Sequence, residues 1–351
     1  MSGSKRSLSD PSLPEMDETQ DRWHCVVDKG QAPLRVDKYI AEHMADTSRS
    51  RVQQACEAGH VHVNGQPVSG SYKVKPADFV QVILDHAPYD TTIVPEDIPL
   101  TIVYEDEDVL VVNKPAGMVV HPGHGNFEHT LLNALAFYFG DKLDMNNPEI
   151  GLVHRIDKDT SGLLLIAKTP QAKTHLGWQF FEHTTERTYN ALVWGTFNED
   201  DGTIFGALAR DNRDRTIYRV WDPEENPSAK EAVTHWRVLE RYPYVTLVEC
   251  RLETGRTHQI RVHMRHIGHP LFGDEKYGGT EILKGLRTQK YKQYIQNCFA
   301  LCPRQALHAR TLGFTHPRTG ERMHFDSEWP QDMSNLINKW RNYEPNTLGG
   351  R

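Results

Sequence analysis

Residues 151–170 read GLVHRIDKDTSGLLLIAKTP, and the order of polar and apolar residues in this stretch decides the fold around it. The apolar run 163–167 predicts a buried strand. Behind it, Thr169 and Pro170 supply the N-cap and first-turn proline of a helix that we expect to extend through Phe181. A dense polar group between two apolar segments is typical of a solvated loop or of an active site. Its members are His154, Arg155, Asp157, Lys158, Asp159, Thr160 and Ser161.

The two aspartates of this stretch suggest an acid/base pair, but their spacing argues against one. Residues two apart share a face only on a strand, whereas Thr160, Ser161 and Gly162 predict a turn. We therefore expect a single catalytic carboxylate. Asp159, Thr160 and Ser161 are expected to hold the loop through short hydrogen bonds from side chain to backbone.

The chain has 351 residues, which exceeds the usual size of one domain and predicts about two. A composition of 38% hydrophobic and 25% charged residues is that of ordinary globular proteins. No apolar run approaches the roughly 20 residues that span a bilayer, and the start of the chain lacks an apolar secretory segment. We therefore expect a cytoplasmic protein with no membrane partner. The scattered cysteines suit reduced thiols and offer no paired zinc-ligand spacing.

The formal net charge of −7 does not by itself predict a nucleic-acid-binding protein. The distribution of charge is more informative, because residues 251–269 contain four arginines, four histidines and one acidic residue. If the fold gathers these side chains on one face, that face offers a site for an anionic ligand. The alternative is a solvated helix face. We expect no metal site, because His258, His263 and His266 are imperfectly spaced for one face and lack a paired carboxylate.

The N-terminal part of the sequence predicts a tail, a small domain and a linker. Residues 1–22 are polar without apolar periodicity, so we expect a disordered tail and ordered structure from about Trp23. Residues 33–84 read as two short helices, a hairpin at Asn64-Gly65 and a further strand. Residues 85–99 carry three prolines and are expected to be a linker.

Residues 100–345 are expected to form a second, larger domain. Its strands outnumber its helices and do not alternate regularly with them, which indicates an α+β fold rather than a doubly wound sheet. The sequence contains no P-loop, H-E-x-x-H, G-x-S-x-G or dinucleotide fingerprint, so we expect no cofactor. The expected elements are two strands around an acidic turn (101–117), a helix ending at Gly140, strands over 187–195 and 244–254, and a helix over 257–267 closed by Gly268 and Pro270.

Three separated stretches resemble motifs of the RluA/RluD-type family of RNA pseudouridine synthases. HRIDKDTSGLLLIAK (154–168) resembles the motif with the catalytic aspartate, with Ile156 where leucine is more familiar. ERTYNALVWG (186–195) resembles the family's tyrosine strand, and LETGRTHQIRVHMRHIGHPLFGD (252–274) resembles its arginine-bearing motif. The resemblance extends over residues 23 to about 330. It implies the pseudouridine synthase fold, an α+β domain around a mixed, largely antiparallel sheet.

Residues 33–84 resemble the small S4-like RNA-binding domain, first seen in a small-subunit ribosomal protein. The likeness lies in LRVDKYIAE and the later SRSRVQQACEAGHVHVNGQPV. Acidic neighbours leave the segment only one unit positive, so RNA binding by this domain alone should be weak. The basic residues expected to contact phosphates are Arg35, Lys38, Arg49, Arg51, Lys73 and Lys75.

The reaction that the resemblance implies is isomerisation of uridine to pseudouridine in ribosomal RNA of the large subunit or its assembly intermediate. The likeness is greatest to the RluD branch, whose target is the helix 69 stem-loop. Because a paired and stacked base cannot be reached, the enzyme must extrude it into a closed pocket. Atoms are conserved, so the reaction needs no small-molecule cofactor. We expect the protein to act as a monomer.

The resemblance also implies roles for individual residues. Asp157 is the catalytic residue, either as a nucleophile on sugar or base or by promoting elimination, and Arg261 keeps it ionised. Tyr189 lies against the uracil ring, where it can stack and assist proton transfer. Arg155 enters the space left by the flipped base or holds its phosphate; the alternative is a structural ion pair. Further candidates for contact with RNA or with the catalytic residues are Arg256, His258 and Gln259.

Two other classes of protein remain open. A noncatalytic RNA-binding or ribosome-assembly factor would keep the fold without the chemistry, but the joint presence of Asp157, Tyr189 and Arg261 argues against it. A metal-dependent RNA hydrolase would use the histidine cluster and lose activity in a chelator. For a pseudouridine synthase, another RNA such as tRNA is the alternative substrate.

Overall fold

The computed structural model describes residues 20–44, 47, 49–85, 93–123, 126–147, 150–214 and 216–344. The chain divides into two units, residues 1–91 and residues 92–351. Most of the expected tail, residues 1–19, and part of the expected linker, residues 86–92, lie outside the described residues. None of the helices in the described part of the chain has the length and apolar character needed to cross a membrane.

The N-terminal unit contains two helices and a four-stranded antiparallel sheet. Its elements are β1 Gln20–Val26, β2 Leu34–Arg35, α1 Val36–His43, α2 Arg49–Glu57, β3 Val61–Val63, β4 Gln66–Pro67, β5 Lys73–Val74 and β6 Phe79–Asp85. The sheet order is β1-β6-β3-β4, and β2 pairs separately with β5. Both helices and the sheet contribute to one apolar core that consists largely of valines.

The hairpin between β3 and β4 turns at Asn64 and Gly65, as their sequence predicts. Both residues have positive φ, 51° and 79°, which a two-residue hairpin turn requires and which Asn and Gly tolerate. Strand β1 was not expected, because it begins inside the predicted tail. The predicted tail, residues 1–22, is therefore too long by residues 20–22. Backbone pairing with β6 needs no apolar periodicity, so the polar sequence did not reveal this strand.

The C-terminal unit is built on a ten-stranded sheet. Its helices are α3 Leu131–Phe139, α4 Pro170–Phe181, α5 Gln259–His266, α6 Gln289–Leu301 and α7 Gln331–Arg341, with a 3₁₀ turn over Gly140–Lys142. Its strands are β7 Ile102–Glu105, β8 Val109–Lys114, β9 Gly151–Leu152, β10 Ser161–Ala167, β11 Glu186–Trp194, β12 Asp201–Phe205, β13 Ala207–Arg210, β14 Tyr218–Trp221, β15 Val233–Arg241, β16 Val245–Leu252, β17 Leu307–Thr315 and β18 Arg322–Asp326.

The path of the large sheet is β12-β15-β16-β11-β17-β10-β8-β7, with β18 on β17 and β9 on β10. Strands β10 and β17 run parallel, whereas the other pairs of this sheet among the described residues are antiparallel. The α+β class with a mixed, largely antiparallel sheet is thus confirmed. Helix α4 has Thr169 as its N-cap and Pro170 in its first turn, and Gly140 ends α3, as the sequence predicts.

Strand β11 contributes to a core on each face of the sheet, because its side chains alternate in direction. Tyr189, Ala191 and Val193 belong to a core shared with α3 and α5. Leu192 and Trp194 pack instead with α6 and α7. The face that carries Tyr189 is therefore the face that meets α5, the helix of the arginine-bearing motif.

Gly162 joins the polar loop to β10 where the chain passes very close to β17. Its φ is +119°, and a Cβ at this position would lie 2.2 Å from the carbonyl oxygen of Ala309. A side chain cannot be accommodated at this distance, so the close approach requires glycine. The parallel pairs Ser161–His308 and Gly162–Ala309 place the end of the loop beside β17.

Candidate active site

Two buried basic side chains hold the backbone of the polar loop between β9 and β10. Lys114, at the end of β8, donates from Nζ to three carbonyl oxygens, among them that of Lys158 at 3.0 Å. Arg304 donates from Nη1 to the carbonyl oxygen of Asp159 at 2.9 Å. Burial lowers the pKa of Lys114 to about 7. Because these bonds are made to the backbone, this part of the loop's support comes from outside the loop and not from its own side chains.

Side chains of the loop anchor it to neighbouring strands. His154 Nε2 accepts a hydrogen bond from a backbone N–H of β10 at 2.9 Å, and burial lowers the pKa of His154 to about 3, so the ring is neutral. Ser161 Oγ lies 2.9 Å from His308 Nδ1. Thr160 Oγ1 accepts from a side chain of the segment after α6. The expectation that Thr160 and Ser161 bond to the loop's own backbone is therefore wrong, because both side chains are buried against this other segment.

The carboxylate of Asp157 is paired with Arg261 across a long sequence separation. Arg261 Nη1 donates to Asp157 Oδ2 at 2.9 Å. The other edge of the guanidinium binds Asp274, with Nε donating to Oδ2 at 2.7 Å and Nη2 donating to Oδ1 at 2.9 Å. Arg261 is thus oriented by a bidentate pair, and it presents one N–H to Asp157.

The three charged groups differ in exposure. The side chain of Asp274 is fully buried and that of Arg261 is 6% exposed, whereas that of Asp157 is 23% exposed. Burial works against the charge of Arg261, but the bonds to Asp274 and the charge of Asp157 raise its pKa above the usual value. The arginine therefore stays a cation, and the carboxylate that remains accessible is that of Asp157.

A cavity of about 380 Å³ opens in front of Asp157, a volume within the range of small-ligand pockets. The cavity is lined by side chains from the polar loop, from β11 and from the region around the start of α5. It brings together every residue of the C-terminal unit that the sequence singled out for the site. These residues are Arg155, Asp157, Tyr189, Arg256, His258, Gln259 and Arg261.

Tyr189 lines this cavity from β11 and is 7% exposed. Burial raises the pKa of its phenol, Arg187 opposes this shift and Asp157 adds to it. The hydroxyl group is therefore protonated at neutral pH. Among the described residues it forms no hydrogen bond, so it is available to a ligand in the cavity.

His258 and Gln259 stand at the start of α5 and are held by internal bonds. His258 adopts a left-handed backbone with φ 57°, and its Nδ1 lies 2.8 Å from the hydroxyl of Tyr277. Burial lowers the pKa of His258 to about 4, so the ring is neutral. Gln259 donates to Val233 O at 3.0 Å and accepts from the backbone N–H of Arg256 at 2.9 Å. The Gln259 amide therefore supports the loop that carries Arg256, and contact with RNA would involve that loop.

Arg155 and Arg256 are the exposed cations of the cavity rim. Arg256 donates from Nε to Glu231 O at 3.1 Å. Arg155 forms no ion pair with a described residue, and its side chain is exposed at the rim. Both side chains can reach a polyanion outside the cavity.

In the N-terminal unit, two of the predicted RNA-binding arginines bind a buried carboxylate. Arg35 Nη2 and Arg49 Nε lie 2.9 and 3.1 Å from Oδ2 of Asp37, which is fully buried. Lys38 pairs with Glu42 at 3.6 Å. Arg51 is half-buried on α2, whereas Lys73 and Lys75 are exposed. The arginines therefore have a structural role in addition to any contact with RNA.

Three of the four histidines of residues 258–269, His258, His263 and His269, bind separate internal partners. His263 Nδ1 lies 2.9 Å from Thr234 Oγ1, and His269 Nδ1 lies 2.8 Å from Trp194 O. The structure instead groups three potential metal ligands elsewhere, on β7–β8 and after β17: Asp106, Asp108 and His316. Arg318 forms a bidentate pair with Asp108, and His316 bonds to Asp106, so protein groups already use these atoms.

Four residues of the site were not singled out from the sequence. Asp274 lies at the end of the quoted arginine-bearing stretch, where an acidic residue after a glycine gives a weak signal. Tyr277 follows it. Lys114 stands before a proline at the end of a strand, and Arg187 precedes the predicted tyrosine by two residues. A buried charge is visible only once the fold is known, because its sequence does not distinguish it from a surface charge.

Known proteins resemble the chain over most of its length. A family model described as RNA pseudouridylate synthase matches residues 108–266, and one described as S4 domain matches residues 34–80. An uncharacterized RNA pseudouridine synthase of Chlorobaculum parvum is 43% identical over 90% of this chain and 96% of that protein. Ribosomal large subunit pseudouridine synthase D of Pasteurella multocida is 41% identical over 88% of this chain and 91% of that protein. The solved structure of human RNA pseudouridylate synthase domain containing 1 is 26% identical, covers 71% of this chain and 98% of its own, and has a TM-score of 0.51.

Proposed function

The chain belongs to the family of RNA pseudouridine synthases, which are isomerases, and from that premise we propose that it converts uridine to pseudouridine in large-subunit ribosomal RNA. The relative from Pasteurella multocida supports this substrate, because its name assigns it to the large ribosomal subunit. RNA is a partner of both halves of the chain, since an S4 domain accompanies the synthase domain. We assign RNA binding to residues 33–84 and catalysis to residues 100–345.

The observation that carries the proposal is the pair between Asp157 and Arg261 beside Tyr189 in one cavity. Whether Asp157 attacks the sugar or base, or promotes elimination, it acts as a carboxylate, and the fixed guanidinium of Arg261 holds that carboxylate in place at 2.9 Å. Tyr189 offers an aromatic face for the uracil and a protonated hydroxyl for proton transfer at the base. Asp157 is therefore the proposed catalytic residue.

The exposed cations of the cavity rim support extrusion of the target base. Arg155 lies two residues before Asp157 on the same loop and is exposed. From this position it can occupy the space that the uracil leaves in the RNA stack, or hold the neighbouring phosphate. Arg256 extends the positive charge along the rim, and His258 and Gln259 support the backbone beneath it.

The finer parts of the proposal concern the RNA target and the state of the protein. We place the target in the helix 69 stem-loop, because the motifs of the chain resemble the RluD branch, whose target this is, and unpaired loop bases cost less to extrude than paired ones. The substrate is the large-subunit RNA or its assembly intermediate. The protein acts in the cytoplasm as a monomer, with Arg35, Lys38, Arg49, Arg51 and Lys73 of the N-terminal unit adding phosphate contacts.

A reconstitution experiment tests the substrate. Purified protein is incubated with a transcript of large-subunit ribosomal RNA, with a tRNA transcript and with a transcript in which helix 69 is deleted, and pseudouridines are mapped. We expect modification of the full transcript only. Modification of tRNA alone would overturn the assignment to ribosomal RNA, and unchanged modification of the deleted transcript would overturn the helix 69 target.

Two further arms separate the other classes of protein. A noncatalytic assembly factor would bind the ribosomal transcript without forming pseudouridine. A metal-dependent hydrolase would cleave the RNA and stop when EDTA is added. The proposal requires pseudouridine formation that is unchanged in EDTA.

A further inference from the structure

Arg187 is a buried cation in the wall of the candidate active-site cavity, and the roles described above do not use it. It lies on β11 two residues before Tyr189, and it is 6% exposed. Its guanidinium lies over the ring of Phe180, with Cζ 5.2 Å from the ring centroid. The site therefore contains a second arginine on the same strand as its tyrosine.

The guanidinium of Arg187 is poorly satisfied by the protein. Its Nε is buried without a hydrogen-bond partner among the described residues, and no carboxylate of the described residues pairs with it. Among the described residues its side chain makes one hydrogen bond to the protein, a long one from Nη2 to the carbonyl oxygen of Glu253 at 3.4 Å. Burial lowers the pKa of Arg187, but arginine remains protonated in proteins. A buried, unpaired cation is costly, so its retention in a cavity wall indicates a ligand that carries negative charge.

The surroundings of Arg187 indicate where that ligand lies. The charges of Arg187 and Asp157 shift the pKa of Tyr189 in opposite directions, so a positive and a negative group lie close to the tyrosine. Gly255 leaves room for the guanidinium, because a Cβ there would lie 2.8 Å from Arg187 Nη1. The exposed cations Arg155 and Arg256 lie at the rim, where they can reach an RNA phosphate. Arg187 lies inside the cavity, beside the ring of Phe180 and near Tyr189.

We propose that Arg187 binds the uracil ring of the target uridine and stabilises the negative charge that the ring gains when the glycosidic bond breaks. This inference rests on the proposed function, since it names a second charged group for the same reaction. Asp157 acts at the sugar or the base, and Arg187 acts on the departing base.

The negative charge on the uracil ring follows from the bonds that the reaction breaks and forms. When the bond between N1 of uracil and C1′ of ribose breaks, its electron pair remains on the ring. The resulting negative charge is delocalised over N1 and the two carbonyl oxygens. After the ring turns, C5 supplies the pair for the new bond to C1′, C5 loses its proton and N1 gains one. The sums of atoms and electrons are unchanged, and no further reactant is needed. A preplaced cation in a water-poor cavity is worth most at the stage when the ring is an anion.

Single-turnover kinetics of variants test this role. With saturating ribosomal transcript, Arg187→Gln should lower the rate of pseudouridine formation by about 10²-fold or more, the range found for loss of a charge-stabilising donor. The dissociation constant for RNA should change less than about threefold, since phosphate contacts dominate RNA affinity. Arg187→Lys should recover part of the rate because it keeps the charge. Arg237→Gln, an exposed arginine paired with Glu249 on the same sheet, is the matched control and should behave as wild type.

A change of leaving group separates charge stabilisation from a structural role. Fluorine at C5 stabilises the uracil anion, so the rate of Arg187→Gln should fall less far below that of wild type when the target is 5-fluorouridine. The rate on this substrate is measured from the loss of 5-fluorouridine in nucleoside digests. An equal deficit on both substrates, a rate within about threefold of wild type, or a defect seen only in RNA affinity would each overturn the inference. The last result would assign Arg187 to a phosphate.

Gly255→Ala provides a second route if Arg187→Gln does not fold. The new Cβ displaces the guanidinium while keeping its charge in the protein, so the rate should fall and the same 5-fluorouridine comparison applies. If wild-type protein itself forms no pseudouridine on any RNA, the proposed function fails. If wild type is active and the Arg187 and Gly255 variants match it, only the role of Arg187 fails.

Discussion

Arg261 donates to Asp157 through one N–H at 2.9 Å and to Asp274 through two, at 2.7 and 2.9 Å. The stronger, bidentate contact is made with the buried acid, so Asp274 fixes the orientation in which Arg261 meets the carboxylate of Asp157. Asp157, the proposed catalytic residue, is the partly exposed member of the trio. On that proposal Asp274 is a positioning residue, whose effect on catalysis passes through Arg261.

Loss of the Asp274 charge should therefore affect both the fold and the rate. For Asp274→Asn we expect the free energy of unfolding to fall by about 3 kcal/mol, because Arg261 is left buried with one partner. We expect kcat to fall by about 10²-fold with little change in KM, since a displaced guanidinium misplaces Asp157 but not the RNA. Urea unfolding and steady-state kinetics measure the two effects.

The matched control for that variant is Asp326→Asn, which breaks an exposed pair with Arg310. Exposed pairs contribute about 0–1 kcal/mol, so this variant should stay near wild type in both measurements. If Asp274→Asn keeps the kcat of wild type, the positioning role is wrong.

Acid should destabilise the C-terminal unit through His308. Burial lowers the pKa of His308 to about 4, whereas an unfolded histidine titrates near 6.5. Between these pH values the unfolded chain binds more protons, so the stability from His308 is complete above about pH 6.5 and declines as the pH falls toward 4. In His308→Gln, which cannot titrate, the free energy of unfolding should depend less on pH, by about 1 kcal/mol per pH unit near pH 5. Parallel curves for the two proteins from pH 7 to 4.5 would show that His308 does not titrate in this way.

The close approach of β10 to β17 should not tolerate a side chain at position 162. Gly162→Ala introduces a Cβ at 2.2 Å from Ala309 O on a backbone with φ of +119°. We expect a loss of more than about 4 kcal/mol in the free energy of unfolding, or insoluble protein.

Gly177→Ala is the control for this change. It lies inside α4 with nothing within 4 Å of the new Cβ, so it should raise stability by about 0.5–1 kcal/mol. Equal stability of the two alanine variants in urea unfolding would contradict the steric account of Gly162.

The strands and helices of this protein were predictable where one local rule decides the structure. The Thr169-Pro170 start of α4, the Gly140 end of α3 and the Asn64-Gly65 turn each follow from backbone chemistry within a few residues. Strand β1 was not predictable, because its pairing with β6 depends on backbone contacts with residues about sixty positions away. The polar residues at the start of this strand predicted a disordered tail instead.

In the candidate site, too, local motifs were predictable and contacts that depend on tertiary packing were not. Asp157, Tyr189 and Arg261 were predicted from motifs, and the fold brings them to one cavity. Other residues of the site were not predicted, since Asp274, Lys114 and Arg187 are ionisable residues whose burial depends on tertiary packing. The side chain of Gln259 was expected near RNA, but its amide is used inside the protein, which only the surrounding strands reveal.

The central claim is that Asp157 is the catalytic group, and its substitution by asparagine tests this most directly. Asn keeps the size of the side chain and a hydrogen-bond acceptor for Arg261, but it lacks the negative charge. Single-turnover formation of pseudouridine in large-subunit ribosomal RNA is measured for wild type, for Asp157→Asn and for the exposed control Asp141→Asn, with folding checked by urea unfolding. The account predicts no detectable product with Asp157→Asn and the wild-type rate with Asp141→Asn. A folded Asp157→Asn protein that forms pseudouridine at the wild-type rate would contradict it.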